Sequence, residues 1–159
     1  MRRFDISNKD VMDWAAVIHT QEEWNNVAVV VSGLKIVDNG CNEMSFTELD
    51  FSSFSYVKQI EIGANSLQNV NRVVFNGLNN LINLNISHSS LSSTSLLEIK
   101  SNSLNHPELK SLDLKAFSQL SKLEIGSNAL TRMENITISR MPVLKSLSIG
   151  PLSLNRVIK

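Results

Sequence analysis

The residues able to do chemistry are few and scattered. Histidines stand at 19, 88 and 106, far apart, and none has a companion Cys or His at metal-ligand spacing. Solvated or structural histidines are the better reading, with His88 kept as a surface candidate because Ser87 and Ser89 flank it in a turn. Cys41 is the only cysteine and lies in a turn-like Asn39-Gly-Cys-Asn42 stretch, with no paired base to make it a nucleophile. Gly63, Gly77 and Gly126 are single glycines, so no Gly-rich loop is present to cradle a phosphate, and no G-x-S-x-G elbow occurs. A pair of carboxylates for acid–base work would need a pocket, which nothing in the sequence signals. The expectation is therefore a chain that is not an enzyme and needs no cofactor and no metal. The tripeptides Asn85-Ile-Ser87 and Asn135-Ile-Thr137 have the form of glycosylation acceptors. Both asparagines fall in or beside an apolar alternating stretch, whereas acceptor sites sit on surface loops, so they read as chance matches.

What the sequence does offer is a regular display of polar residues between apolar ones. An apolar–x–apolar triplet recurs ten times: Leu34–Ile36, Leu49–Phe51, Ile60–Ile62, Val73–Phe75, Leu84–Ile86, Leu97–Ile99, Leu112–Leu114, Leu123–Ile125, Ile136–Ile138 and Leu147–Ile149. Successive starts are 15, 11, 13, 11, 13, 15, 11, 13 and 11 residues apart, and the alternating 11 and 13 sum to a 24-residue unit with two triplets. Alternation with period two makes each triplet a short strand with its outer two side chains inward and its middle one outward. The outward set includes Lys35, Asp50, Glu61, Asn85, Glu98, Asp113, Glu124 and Ser148, with Lys58, Lys110, Lys122 and Lys145 close by. A mixed-charge face of this kind is either a solvated sheet with cross-strand pairs or a binding face complementary to a protein.

The connections between triplets are of two kinds. After Ile62 and Ile125 comes Gly-x-Asn-x-Leu, and Asn39 and Asn102 take the same offset after Ile36 and Ile99. After Phe51, Phe75, Leu114 and Ile138 comes x-x-apolar, ending at Phe54, Leu78, Phe117 and Met141. The expectation for Asn39, Asn65, Asn102 and Asn128 is a turn ladder, their side chains satisfying the backbone inside each bend and pairing with the next coil's Asn. No coil buries its apolar face alone, so stability comes from stacking neighbours.

These residues resemble the leucine-rich-repeat superfamily, in the divergent class seen in bacterial surface antigens and protist families. The match is Val57-Lys-Gln-Ile60-Glu-Ile62-Gly-Ala-Asn65-Ser-Leu67 followed by Phe75-Asn-Gly-Leu78-Asn-Asn-Leu81. It recurs from Leu120 through Leu130 and from Ile138 through Leu144, and covers about residues 33 to 155. The resemblance implies a leucine-rich-repeat-like solenoid of about five coils of roughly 24 residues, two short parallel-stacked strands per coil, mostly β with a small α part.

Two departures mark the middle. The step from Leu97 to Leu112 is long, with Asn105-His-Pro-Glu108 as an inserted turn. Residues 34 to about 91 also echo 97 to about 154 at an offset of 63 residues, which spans five strands. Either one strand is looped out, or the two copies sit on opposite faces of the coil.

The ends differ. Residues 1–26 lack the repeat and are expected to form a helical N-terminal cap on a solenoid of residues 27–159. Val11, Trp14, Ala15 and Ile18 have helical spacing over 8–19. A capping box at Thr20-Gln-Glu-Glu23 starts a second short helix through Trp24, and Val27–Val31 reads as an added first strand. After Ile149 no cap is visible, so the C-terminal edge is a candidate for self-association.

Lys+Arg and Asp+Glu balance at 15 each, which argues against a nucleic-acid binder, and no apolar run is long enough for membrane insertion. Charged residues crowd the start where a signal peptide would be apolar, and one cysteine allows no internal disulfide. The sequence leaves the compartment open: these two features favour the cytoplasm, and the cell surface is the alternative for a fragment of a longer chain. The expected function is non-catalytic protein–protein recognition on a rigid repeat surface, or else structural or adhesive self-assembly through the C-terminal coil.

Overall fold

The computed structural model describes residues 15–138 and 141–156. Each of the ten triplets lies on its own strand, those of Phe51, Leu114 and Ile138 ending one residue past it. In chain order the elements are β1 (Ala15–Ile18), α1 (Gln21–Asn26), β2 (Gly33–Ile36), β3 (Glu48–Asp50), β4 (Gln59–Ile62), β5 (Arg72–Phe75), β6 (Asn83–Ile86), β7 (Leu96–Ile99), β8 (Ser111–Asp113), β9 (Lys122–Ile125), β10 (Asn135–Thr137) and β11 (Ser146–Ile149). Every pairing is parallel and joins a strand to one a full coil away, giving a parallel β-solenoid of about five coils at a spacing of about 24 residues, shortened to 18 between β1 and β2. One wall is a four-stranded sheet in the order β1-β2-β4-β6. A five-stranded sheet in the order β11-β9-β7-β5-β3 runs from Glu48 to Ile149, and β10-β8 forms a short third sheet.

The register shows why the triplets stack. Leu34, Ile60 and Leu84 lie side by side, as do Ile36, Ile62 and Ile86. In the long sheet Val73, Leu97, Leu123 and Leu147 form one such row. The inward residues of β1 to β9, with Leu84 and Ile86 only partly buried, belong to one continuous core, together with Phe54, Val57, Leu78, Leu81, Phe117 and Leu120 from the x-x-apolar connections. Each fully buried Leu or Phe contributes roughly 1.5–3 kcal/mol of apolar burial, which outweighs the low local propensity of three- and four-residue strands. Aromatics reinforce the first coils: the Phe51 and Phe75 rings stack at 5.2 Å between centroids and 3° between planes.

The corners after β2, β4, β6, β7, β9 and β11 share one backbone solution. Asn39, Asn65, Ser89, Asn102, Asn128 and Leu152 have φ between 56° and 64°, and two residues later Cys41, Leu67, Leu91, Leu104, Leu130 and Leu154 are left-handed again. Asn is the non-glycine residue that tolerates this region best, and that is its role here. The expected side-chain ladder of Asn39, Asn65, Asn102 and Asn128 is realised at one step only, where Asn128 Nδ2 donates to Asn102 Oδ1 at 2.9 Å. The working ladder lies three residues on. Asn42 Nδ2 donates to Asn65 O (2.9 Å) and its Oδ1 accepts from Gln68 N (2.9 Å). Asn79 serves Asn102 O and Asn105 N in the same way, and Asn105 serves Asn128 O and Thr131 N. Glycine before the corner has a separate cause: a Cβ at Gly63 would sit 2.5 Å from Asp38 N of the preceding coil.

The N-terminal expectations need correction. Ala15–Ile18 is a strand, not the end of a helix over 8–19; the rest of that span lies outside the described residues, apart from His19. Ala16 and Ile18 take the inward positions beside Leu34 and Ile36, and ladder burial overrides the helical spacing. The first described rung thus precedes residue 27. The helix through Trp24 forms, with Thr20 as N-cap accepting from Glu23 N. Trp24 packs on Phe51 and Phe54 at 5.5 and 5.2 Å between ring centroids. Val27–Val31 is not a strand: the chain turns at Val29 and Val30, which are exposed, to bring Val31 into the core.

The 63-residue echo is resolved as a change of wall. β2, β4 and β6 belong to the four-stranded sheet, while their counterparts β7, β9 and β11 belong to the long sheet. No strand is looped out. Asn105-His-Pro-Glu108 turns as expected, with Leu109 N donating to His106 O at 3.0 Å.

Candidate recognition surface

Strand alternation turns the middle residue of each triplet outward, but the change of wall distributes these residues over three sheets. Lys35, Glu61 and Asn85 form one row on the four-stranded sheet. Asp50, Val74, Glu98, Glu124 and Ser148 form a row on the long sheet. Asp113 lies beside Thr137 on the short sheet. Lys58 precedes β4, and Lys122 begins β9; Lys145 precedes β11. The single charged face expected from sequence does not exist, and Glu61 and Glu124 lie on separate walls with the core between them.

The walls differ in how their charges are satisfied. On the long sheet Arg72 lies between Glu48 and Glu98. Its Nη1 is 2.9 Å from Glu48 Oε1, its Nε donates to Glu98 Oε2 at 2.8 Å, and its Nη2 also contacts Glu98. The Glu98 side chain is only 12% exposed and takes a further contact from Lys100 at 3.5 Å. The Glu98 hydrogen bond, ahead of the one to Glu48, raises the Arg72 pKa above its ordinary value. Glu98 and Glu124 are register neighbours of like charge. Lys122 offsets this, lying 3.0 Å from Glu124, and its hydrogen bond holds the Glu124 carboxyl below the usual range. Asp50 turns to its own corner, accepting from Ser52 N and Oγ, and Asp113 pairs with Lys115 at 3.4 Å.

The four-stranded wall is less self-contained. Its one ion pair, Lys35–Glu61, spans 3.7 Å with both side chains half exposed. Its outward surface also carries Val17, the register partner of Lys35, and the amides Gln59, Asn83 and Asn85. Shallow hollows of about 270 and 500 Å³ lie over it, lined by Glu61 and Asn85 in one case and by Lys35, Asp38 and Glu61 in the other. Asn85 and Asn135, the heads of the glycosylation-like tripeptides, are exposed mid-strand and first-in-strand residues. Among the described residues no salt bridge engages Lys58 or Lys145.

Among the described residues no chemistry-bearing cluster assembles. His19 stands 3.1 Å from Glu23, His106 Nδ1 accepts from Glu108 N at 3.0 Å, and His88 faces a groove beside β8. Burial, then Glu43 and Glu23, push the Cys41 thiol up to about 12, the opposite of an activated nucleophile. Among the described residues no group of three His, Cys, Asp or Glu side chains could hold a metal, and no helix is long and apolar enough to cross a membrane. The chain matches no family model, and no curated protein or solved structure is significantly similar to it. Arg72 and Glu48 were missed because they flank the triplets rather than centre them. Asn42 and Asn105 were missed because the corner motif drew notice to the asparagine three positions earlier in the Asn-x-x-Asn pairs 39/42 and 102/105, and Asn79 because it lies in the x-x-apolar connection after β5.

Proposed function

We propose that this chain is a non-catalytic protein–protein recognition module of the leucine-rich-repeat superfamily, in its divergent class, whose four-stranded wall carries the contacts. The supporting observation is the contrast between the walls. The long sheet's outward charges close on one another through Arg72 and Lys122, whereas Lys35, Glu61 and Asn85 stand in register over shallow hollows with one loose ion pair between them. A rigid frame with unspent polar groups on one side is suited to a protein partner rather than to a reaction. The zero net charge argues against nucleic acid as that partner. The test is to capture a partner with the intact chain and titrate it against Glu61→Lys and Glu124→Lys. The reading expects Glu61→Lys to weaken affinity by about tenfold and Glu124→Lys to leave it unchanged, with both variants folded. Equal affinities for all three proteins would remove the four-stranded wall from the interface.

A second reading is a structural or adhesive protein that pairs with another copy of itself through the last coil. It is favoured by the state of β11, whose Leu147 and Ile149 are about half exposed where their counterparts Leu123 and Ile125 are buried.

A further inference from the structure

The change of wall leaves a seam. In the first half the Asn-type corner leads out of β2, β4 and β6; in the second it leads out of β7, β9 and β11. Two such corners therefore follow in succession, after β6 and after β7. The long sheet passes this point unbroken, with β5, β7 and β9 in full register. The opposite wall does not: β6 and β8 are neighbours along the solenoid but are not hydrogen-bonded to each other.

The backbone groups left at the seam follow from parallel pairing. Asn83 N donates to Lys58 O and Ser87 N to Ile62 O, so the intervening groups of Leu84 and Ile86 point away from β4, toward β8. On the other bank Leu114 N donates to Thr137 O, so Leu112 and Leu114 serve β10 while Ser111 and Asp113 point toward β6. Two strand edges thus face each other. At the C-terminal ends of these edges lies a groove of about 710 Å³, lined by Ile86, His88 and Ser89 after β6, by Asp113, Lys115 and Ser118 at the end of β8, and by Asn65 and Gln68 of the preceding coil. On the inner side Leu84 and Ile86 are only half-buried, whereas Ile60 and Ile62 are 2% and 0% exposed.

We propose that the seam takes up an extended segment of a protein partner as an added rung between β6 and β8. This names the partner's form and rests on the recognition reading above. The interrupted ladder specifies the occupant. Facing strand edges are complementary to one extended backbone, which can satisfy both. The half-buried Leu84 and Ile86 call for two inward apolar side chains, so the segment reads apolar–x–apolar, and x emerges between Asn85 and Asp113 and is polar. Asp113 and Lys115 offset each other, and no other carboxylate or ammonium lines the groove, so the complementary segment is uncharged. A rung between two strands needs about 9.5 Å, twice the usual strand spacing, so uptake spreads β6 from β8.

The probe is a capped, fluorescein-labelled decapeptide with the sequence of Leu81–Ser90, which carries Leu-Asn-Ile and no acidic or basic side chain other than His. It is titrated against the whole chain by anisotropy, with a control in which the two apolar residues are moved to adjacent positions. Saturable binding is expected, about tenfold weaker for the control, and hydrogen exchange should slow at Leu84, Ile86 and Asp113. Ile86→Lys should abolish binding. Ala116→Trp, which fills the groove from a half-buried turn position, should do the same without touching the core, and Glu124→Lys, on the long sheet, should change nothing. Absence of saturable binding, or exchange protection on β10 and β11 instead of the seam, overturns the proposal. If the peptide fails while a captured partner still distinguishes Glu61→Lys from the native chain, the seam is excluded and the recognition reading survives.

Discussion

The two asparagine roles can be separated by substitution. Asn105 makes three side-chain hydrogen bonds to the next coil: Nδ2 to Asn128 O at 2.8 Å, and Oδ1 from Thr131 N and Thr131 Oγ1 at 2.8 and 2.9 Å. At about 1 kcal/mol net for each bond, discounted because the Thr131 hydroxyl can turn to water, Asn105→Ala should cost about 2–3 kcal/mol. For a chain of this length that is about 4–12 °C in Tm. Asn65 sits at φ 58°, and its side chain makes no hydrogen bond among the described residues. Asn65→Gly should therefore fall within about 0.5 kcal/mol of the native chain, since glycine fits the left-handed backbone while adding freedom to the unfolded state. Asn65→Ala should lose about 1 kcal/mol from the strain of that backbone alone. Urea unfolding followed by far-ultraviolet circular dichroism measures all three, with an unchanged m-value confirming that only stability has moved. A loss at Asn65→Gly as large as that at Asn105→Ala would refute the assignment of the corner asparagines to backbone geometry.

Two further outcomes are expected. The buried Cys41 thiol should resist alkylation at pH 8 until the chain is unfolded. Because its folded pKa of about 12 exceeds the ordinary 9.0, its contribution to stability is complete below pH 9 and falls away as pH rises from 9 toward 12, a dependence that Cys41→Ala should remove. Light scattering across a size-exclusion peak over a range of concentrations should show a monomer if the recognition reading holds. A concentration-dependent dimer abolished by Leu147→Lys would transfer support to self-assembly through β11.

The fold was legible because its signal is redundant. Ten triplets, two connection types and a 24-residue period all reported the same stacking, and an error at any one triplet would not have hidden it. The N-terminal rung escaped because Ala15–Ile18 is a single instance: without neighbours in the pattern, its spacing fits a helix as well as a strand, and only contact with β2 decides. The candidate surface was half legible. Alternation along a strand correctly turned Lys35, Glu61, Glu98 and Glu124 outward, but alternation says nothing of which wall a strand joins. That depends on the order of the corners, and the doubled Asn-type corner around β7 was disguised because Ser89 takes the left-handed position after β6 where the pattern has Asn. The Arg72 network lay beyond sequence reasoning for a related reason. Glu48, Arg72 and Glu98 are each about a coil apart in the chain, and their contact exists only once the register is fixed.

The exchange of walls also constrains how such a chain could lengthen. The block that recurs contains five strands, and five half-turns bring the chain to the side opposite its start. A third copy of the block appended in the same way would return Gly-x-Asn corners to the side they occupy in the first, and a fourth would move them across again. Each junction would repeat the doubled corner and interrupt one wall while the other ran through. Growth by this block would therefore give a fibre with an open seam every 63 residues, alternately left and right of its axis. Growth by the 24-residue coil would give an unbroken one.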